Sequence, residues 1–197
     1  LAEARVVLPG THDTASAVAA VPAASPPSAR PDWCYISLGT WALVGAELDR
    51  PLVTPECMAR NFTNEAGVSG TTRLLKNICG LWLVQQCRAG WQRAGKDWTW
   101  EQLTRLAAEA PPLVTLIDPN DPSLVAPADM PEALRALARA SGEPVPETTA
   151  AVVRTALESV AAACRRTVRE LEELLGRQLT TIHVVGGGVK NALLCQM

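Results

Sequence analysis

The feature that most constrains this chain is a pair of glycine turns, each placed directly after an apolar run. Residues 33–37 and 180–185 are predicted strands, and they are followed by Gly39-Thr40 and by a triple glycine at 186–188. Glycine lets the backbone approach a ligand closely, and free N–H groups at such turns suit phosphate oxygens. Taken alone, the Gly39-Thr40 turn is better explained as a plain hairpin turn than as a ligand contact. For the triple glycine, a flexible strand-to-helix connection and a ligand contact are equally good explanations. Together they favour a nucleotide site, although neither is a G-x-G-x-x-G or G-x-x-x-x-G-K-[ST] loop.

The hydrophobic periodicity and the glycine and proline residues that separate the periodic runs predict an α/β chain, with a mixed β-sheet and flanking helices. Residues 33–37 and 41–47 form a predicted hairpin. Residues 61–65 are predicted as a short polar strand or loop, and the proline-rich stretch 23–32 as a loop. The other predicted strands are 5–8, 113–117 and 180–185, and the predicted helices are 14–21, 72–93, 99–110, 129–141, 147–175 and a segment that begins at Asn191.

Composition predicts a globular protein: of 197 residues, 48% are hydrophobic and 19% are charged. The net charge of −2 and the lack of a basic block predict no nucleic-acid partner and no membrane partner. No apolar run approaches the roughly 20 residues that span a bilayer. The six cysteines include no C-x-x-C pair and no zinc-ligand spacing, so we expect reduced, buried thiols and a cytoplasmic protein.

An aspartate near the start of the chain is the strongest single candidate for chemistry. Asp13 follows the predicted 5–8 strand and begins a predicted helix, with His12 and Thr14 beside it. A fixed carboxylate can take the proton of a hydroxyl that attacks phosphorus, and such a general base supplies about 10²–10⁴-fold in rate. The alternative is a helix N-cap, which Asp fills well and which leads on local grounds.

Two amides interrupt the apolar helix predicted over residues 72–93. Asn77 and Gln85 would be about 12 Å apart along that helix and about 80° apart around its axis, so both could line one cleft. Gly80 lies between them and would thin the helix surface. Solvent-facing amides are the simpler alternative. His183 is predicted to be a strand residue with no special task.

Taken in order, the longer strings resemble the FGGY family of carbohydrate kinases, and the resemblance covers essentially all of the chain. Within the family, the Leu-Lys-Asn-Ile-x-Gly-Leu-Trp-Leu string and the Gly-Thr-Trp turn resemble the kinases of L-rhamnulose more than those of xylulose, glycerol or gluconate. The matching stretches are residues 10–18, 36–45, 61–65, 75–83, 118–130 and 183–191.

The resemblance implies a lobe of the actin and ribonuclease H type, one of two lobes that enclose an active site. Residues 1–197 would be a single C-terminal, nucleotide-binding lobe, cut at both ends, and its partner would be the N-terminal lobe of the same protein. By analogy, Asp13 is the general base, and the sugar contacts are His12, Asp13 and Thr14. The ATP-binding residues implied in the same way are Thr40, Asn77, Gln85 and Gly187, and no metal ligand is assigned.

The implied reaction is transfer of the γ-phosphate of ATP, with Mg²⁺, to the 1-hydroxyl of L-rhamnulose, giving L-rhamnulose 1-phosphate. The fragment alone would be inactive, because the phosphate loop and most of the sugar pocket belong to the N-terminal lobe. Leu38 and Ala42 depart from the family pattern and remove two hydroxyls expected near the phosphates. The alternatives are another ketose kinase of the family and a non-catalytic, actin-like nucleotide-binding remnant.

Overall fold

A computed structural model describes residues 10–197, and the strand predicted over residues 5–8 lies outside this part of the chain. Five strands form one mixed sheet in the order β3-β4-β2-β1-β5, with helices packed against it, so the predicted α/β class is confirmed. The strands are β1 (Trp33–Leu38), β2 (Trp41–Leu48), β3 (Thr63–Ala66), β4 (Thr72–Cys79) and β5 (Thr181–Val185). The helices are α1 (Asp13–Ala19), α2 (Pro55–Ala59), α3 (Trp82–Arg93), α4 (Trp100–Glu109), α5 (Met130–Ser141), α6 (Thr149–Leu175) and α7 (Ala192–Gln196).

The pairing of β1 sets the geometry of the sheet. Tyr35 of β1 lies opposite Gly45 in the antiparallel neighbour β2 and opposite His183 in the parallel neighbour β5. β2 pairs antiparallel with β4 along the full length of both strands. Because β1 and β5 run in the same direction, their carboxyl ends lie at the same end of the sheet, and the two glycine turns meet there. We call this end of the sheet the carboxyl edge.

The two faces of the sheet carry different cores, because strand side chains alternate between faces. Leu38 points to the larger core, which β2, β4 and the helices from α3 to α7 fill. Tyr35 points to the opposite face, where it lies with Trp33 and Leu75 against Val18 of α1. We call these the large-core face and the α1 face.

Two helix starts follow the predicted capping chemistry, and a third has a cap that was not predicted. Thr99 and Gln102 form a reciprocal capping box at the start of α4. The carboxylate of Asp129 accepts a hydrogen bond from the backbone N–H of Glu132 at the start of α5. α6 begins slightly later than predicted, behind a Thr148 cap. Such caps satisfy N–H groups that the helix itself leaves unpaired.

The helix predicted over residues 72–93 is wrong in its first half. Every residue of β4 pairs with β2, and the helix begins only at Trp82. Gly80 separates the two elements: a β-carbon there would lie 2.7 Å from the carbonyl oxygen of Gly39, so only glycine lets the end of β4 press against the hairpin turn. An apolar run of this kind suits a buried helix or a strand buried on both faces, and pairing with β2 decides between them.

The strand predicted over residues 113–117 is also wrong, because side chains of α6 take the place of a neighbouring strand. The backbone N–H of Leu113 donates to Glu158 Oε2 at 2.8 Å, and that of Ile117 donates to Ser159 Oγ at 3.1 Å. Leu113 also has a φ of 54°, which breaks an extended run. The segment is an irregular strap across α6.

The cysteines are free thiols, and all but Cys195 are buried, as expected. Burial raises the pKa of Cys34 and of Cys164 to about 12, because the apolar surroundings disfavour the thiolate.

β5 forms an open edge of the sheet. Ile182 and Val184 are 48% and 36% exposed, and they line a groove of about 530 Å³ between the sheet and α6. Within residues 10–197, no helix has both the length and the apolar character needed to cross a bilayer.

Candidate active site

The carboxyl ends of β1 and β5 bring the two glycine turns together. Gly186 and Gly188 lie against Leu38, because a β-carbon at either glycine would be 2.7 Å from the carbonyl oxygen of Leu38. Gly187 between them faces open space. In α/β sheets, ligands bind beyond the carboxyl ends of neighbouring strands, so the carboxyl edge of β1 and β5 is the strongest candidate for a nucleotide site.

The Gly39-Thr40 turn also fixes the start of α3. The carbonyl oxygen of Thr40 accepts hydrogen bonds from the N–H groups of Gly80 and Trp82, both at 3.1 Å. The carbonyl oxygen of Gly39 accepts a third from Leu81 at 2.9 Å. The amino end of α3, with its partial positive charge, therefore lies directly behind the turn.

Two of the residues predicted to bind ATP are in contact. The hydroxyl of Thr40 donates to Oε1 of Gln85 at 3.2 Å. Gln85 lies in the first turn of α3, where its own N–H donates to the carbonyl oxygen of Leu81 at 2.9 Å. The three predicted residues Thr40, Gln85 and Gly187 thus belong to one edge of the sheet.

Asn77 and Gln85 were predicted to share one helix, and this prediction is wrong. Asn77 lies on β4 opposite Leu43 of β2, and it is exposed. Strand alternation puts it on the same face as Leu75, which is the α1 face, whereas α3 packs on the large-core face. A nucleotide contact for Asn77 stays a prediction, and its position is nearer to the face that carries α1.

His12, Asp13 and Thr14 lie at the amino end of α1. The N-cap position belongs to His12, and no side chain caps the helix, so the cap alternative for Asp13 is wrong. Asp13 is the first helical residue, and its Oδ1 accepts a hydrogen bond from the adjacent Thr14 N–H at 2.7 Å. The same oxygen is 3.5 Å from Nδ1 of His12, and the Asp13 side chain is 96% exposed. This carboxylate is oriented by its neighbours and accessible from outside.

The start of α1 is held by local contacts. Ser16 Oγ donates to the carbonyl oxygen of Gly10 at 2.7 Å, and Thr14 and Val18 are buried against the fold. Within residues 10–197, no hydrogen bond or ion pair joins the His12–Thr14 group to the Thr40–Gln85 pair. The predicted site residues therefore fall into two groups, with Asn77 separate from both.

Sequence reasoning missed a buried charge cluster on the α1 face. The side chain of Arg73 is only 2% exposed and donates to Glu65 at 2.9 Å. Glu47 is buried opposite Arg73 in the neighbouring strand, and it accepts a hydrogen bond from the Thr71 hydroxyl at 2.6 Å. Burial raises the pKa of the Tyr35 hydroxyl, which lies close to Arg73. The sequence signal that could have revealed this cluster is the presence of charged residues within runs that otherwise suit buried strands.

Leu38 and Ala42, the two departures from the family pattern, are core residues. Both side chains are buried in the larger core, with exposed fractions of 4% and 0%. They point away from the edge where Thr40 is exposed. The polar groups that the turn offers at this edge are its backbone and the Thr40 hydroxyl.

The sequence matches a known family over most of its length. The family model described as the C-terminal domain of the FGGY family of carbohydrate kinases matches residues 34–197. The sheet has the actin- and ribonuclease H-like ATPase fold, and the chain belongs to the FGGY family of carbohydrate kinases.

Curated relatives narrow the comparison within the family. The rhamnulokinase of Bacteroides thetaiotaomicron is 45% identical over 191 residues, covering 97% of this chain and 38% of the relative. The rhamnulokinase of Pectobacterium carotovorum subsp. carotovorum is 44% identical over 187 residues, covering 95% of this chain and 36% of the relative. The chain thus spans little more than a third of the length of these relatives.

Solved structures agree on the fold. The xylulose kinase of Rhodospirillum rubrum superimposes with a TM-score of 0.54 at 17% identity, over 84% of this chain and 32% of the other. The gluconate kinase of Lactobacillus acidophilus gives a TM-score of 0.55 at 14% identity, over 83% of this chain and 32% of the other.

Proposed function

We propose that this chain is the C-terminal, nucleotide-binding lobe of a two-lobed kinase that transfers the γ-phosphate of Mg²⁺-ATP to the 1-hydroxyl of L-rhamnulose. Family membership and two rhamnulokinases at 45% and 44% identity support the proposal. The observation that carries the nucleotide site is the Thr40–Gln85 hydrogen bond, at the edge where β1 and β5 end beside the triple glycine.

The nucleotide would bind along this edge. The Thr40 hydroxyl, the N–H groups of its turn and the amino end of α3 would neutralise phosphate charge, which phosphoryl transfer depends on. Gln85 would orient the Thr40 hydroxyl, and the open backbone at Gly187 would let adenosine approach. Mg²⁺ would enter with the phosphates of the bound nucleotide and would offset part of their charge.

Asp13 would act at the sugar. Its carboxylate takes the proton of the 1-hydroxyl as that oxygen bonds to the γ-phosphorus. The bond from the γ-phosphorus to the bridging oxygen of ADP breaks, and ADP leaves with the electron pair. The Thr14 N–H holds Oδ1 of Asp13 in place, and His12 beside it would contact the sugar with Thr14.

The test is made on the full-length protein encoded by the uninterrupted reading frame around this sequence. It is supplied with Mg²⁺-ATP and a panel of ketoses, and ADP release is measured by a coupled assay. We expect turnover to be fastest with L-rhamnulose. Faster turnover with a different ketose would move the substrate assignment within the family, and ATP binding without turnover on any ketose would favour a non-catalytic lobe.

The 197-residue chain tested alone should not turn over, because a two-lobed kinase closes both lobes around its substrates. Measured turnover by this chain alone, at a rate close to that of the full-length protein, would contradict the two-lobe proposal.

A further inference from the structure

A half-exposed tryptophan stands at the turn that carries Thr40. Trp41 is the first residue of β2, and it is 52% exposed. Its backbone is held tightly: the Gly39 N–H donates to its carbonyl oxygen at 2.8 Å, and a β-carbon at Gly80 would lie 2.7 Å from its carbonyl carbon. The indole therefore projects from a rigid support, which suits a binding surface better than a mobile loop does.

Strand alternation fixes the face on which this indole lies. Trp41 and Leu43 are two residues apart on β2, so their side chains share a face. Leu43 lies opposite Asn77 and packs against the cluster that contains Val18 of α1. By this alternation we expect the indole on the α1 face, near the exposed amide of Asn77 and on the side of the sheet that carries Asp13, although Cys79 opposite Trp41 packs in the larger core.

An exposed aromatic ring beside an exposed amide has the chemistry of a sugar-binding surface. Ligand sites combine apolar and aromatic walls with a few placed polar groups, and an indole left in water keeps a large apolar area unburied. A ketose offers a face of C–H groups, and L-rhamnulose adds a terminal methyl group at carbon 6. The methyl group has no hydrogen bond to lose when an apolar ring covers it.

We propose that the Trp41 indole packs against the apolar side of the ketose and contributes to the selection of a 6-deoxy sugar. This inference rests on the proposed function and adds to it a residue that determines specificity. L-Fructose is the matched probe, because it differs from L-rhamnulose only by a hydroxyl at carbon 6.

The experiment measures Trp41→Ala and Trp41→Phe in the full-length protein. The concentrations of L-rhamnulose, L-fructose and ATP are each varied in turn, which gives kcat/KM for each ketose and KM for ATP. One methyl group in an apolar contact is worth roughly tenfold in discrimination. For Trp41→Ala we expect kcat/KM for L-rhamnulose to fall about tenfold more than kcat/KM for L-fructose, with KM for ATP unchanged. Trp41→Phe keeps an aromatic face and should recover most of the loss.

A matched control is Trp100→Ala. Trp100 is 47% exposed at the start of α4, where Arg88 lies over its ring at 5.1 Å. This variant should leave both ketose parameters unchanged. A readout independent of turnover is tryptophan emission: L-rhamnulose without ATP should quench it in the wild type and much less in Trp41→Phe.

The outcomes separate the two proposals. A wild type that phosphorylates neither ketose overturns the proposed function, and the role of Trp41 falls with it. If the wild type is active and Trp41→Ala has the same ketose parameters as Trp100→Ala, the inference alone is overturned. A raised KM for ATP with unchanged ketose selectivity would also overturn it, because the indole would then stack on the nucleotide. If Trp41→Ala fails to fold, the emission of Trp41→Phe gives the answer, because quenching by L-rhamnulose equal to that of the wild type overturns the inference.

Discussion

The hydroxyl of Thr40 and the amide oxygen of Gln85 are 3.2 Å apart, although 45 positions separate them in the sequence. If both serve the nucleotide, Gln85→Ala should raise KM for ATP about three- to tenfold, because one hydrogen bond is worth about 0.5–1.5 kcal/mol net. Steady-state kinetics in the full-length protein test this, with Gln86→Ala as the neighbouring control. Equal KM values for ATP in the two variants would remove Gln85 from the nucleotide site.

Asp13 is assigned a chemical role that a neutral amide cannot fill. Asp13→Asn should lower kcat about 10²–10⁴-fold, with KM for ATP little changed, because the loss concerns proton transfer. Asp49→Asn, at an exposed position after β2, is the control for removal of a carboxylate. A kcat above a tenth of the wild-type value in Asp13→Asn would contradict the general-base role.

The triple glycine allows a test that separates binding from folding. Gly187 faces open space, so Gly187→Val should fold normally and weaken ATP binding in titration calorimetry. Gly188→Val should instead lower the unfolding temperature, because its β-carbon would press on Leu38. Unchanged ATP affinity in Gly187→Val would place the adenosine elsewhere.

Arg73 is predicted to be important for stability. Its side chain is 2% exposed and pairs with Glu65, which is 34% exposed, so Arg73→Met should reduce the free energy of unfolding by about 1.5–3 kcal/mol, since it removes a hydrogen bond between charged groups at a largely buried position. Arg60→Met removes the more exposed pair with Glu173 and should cost no more than about 1 kcal/mol. Urea unfolding of both variants compares them. Similar losses in the two would mean that the Arg73 side chain is not buried in solution.

The thiols are expected to react unequally. Cys195 is exposed, whereas burial raises the pKa of Cys79 to about 11 and that of Cys34 to about 12, which suppresses their thiolates near neutral pH. Cys195→Ser should therefore remove one fast-reacting thiol from the native protein in a disulfide-exchange assay. Cys34→Ser should leave the number of fast-reacting thiols unchanged until the protein is unfolded.

Local signals predicted much of this fold. Thr99 and Asp129 start helices as their capping chemistry requires, and the Gly39-Thr40 turn closes the predicted hairpin. The failures have one cause: the competing structure depends on partners that are distant in sequence. Residues 72–79 are a strand because β2 lies beside them, and residues 113–117 are irregular because α6 supplies Glu158 and Ser159.

The residues of the candidate site could also be predicted only in part from the sequence. The family resemblance predicted Thr40, Gln85 and Gly187 as nucleotide-binding residues, and the parallel pairing of β1 with β5 explains why they lie at one end of the sheet. Asn77 lies on β4, in the first half of the predicted 72–93 helix, which is a strand, so its face of the sheet could not be predicted. Trp41 belongs to the Gly-Thr-Trp turn that carries part of the family resemblance, but no role was predicted for it, and its exposure in the folded chain suggests one.

The open edge at β5 has a practical consequence for work on this chain by itself. Ile182 and Val184 leave apolar area in water along a strand whose outer N–H and C=O groups face no neighbour within residues 10–197. Such an edge accepts a strand from another molecule, so concentrated preparations of the isolated chain should aggregate through it. The substitution Ile182→Lys would discourage that pairing and is a suitable first change for making the chain easier to handle.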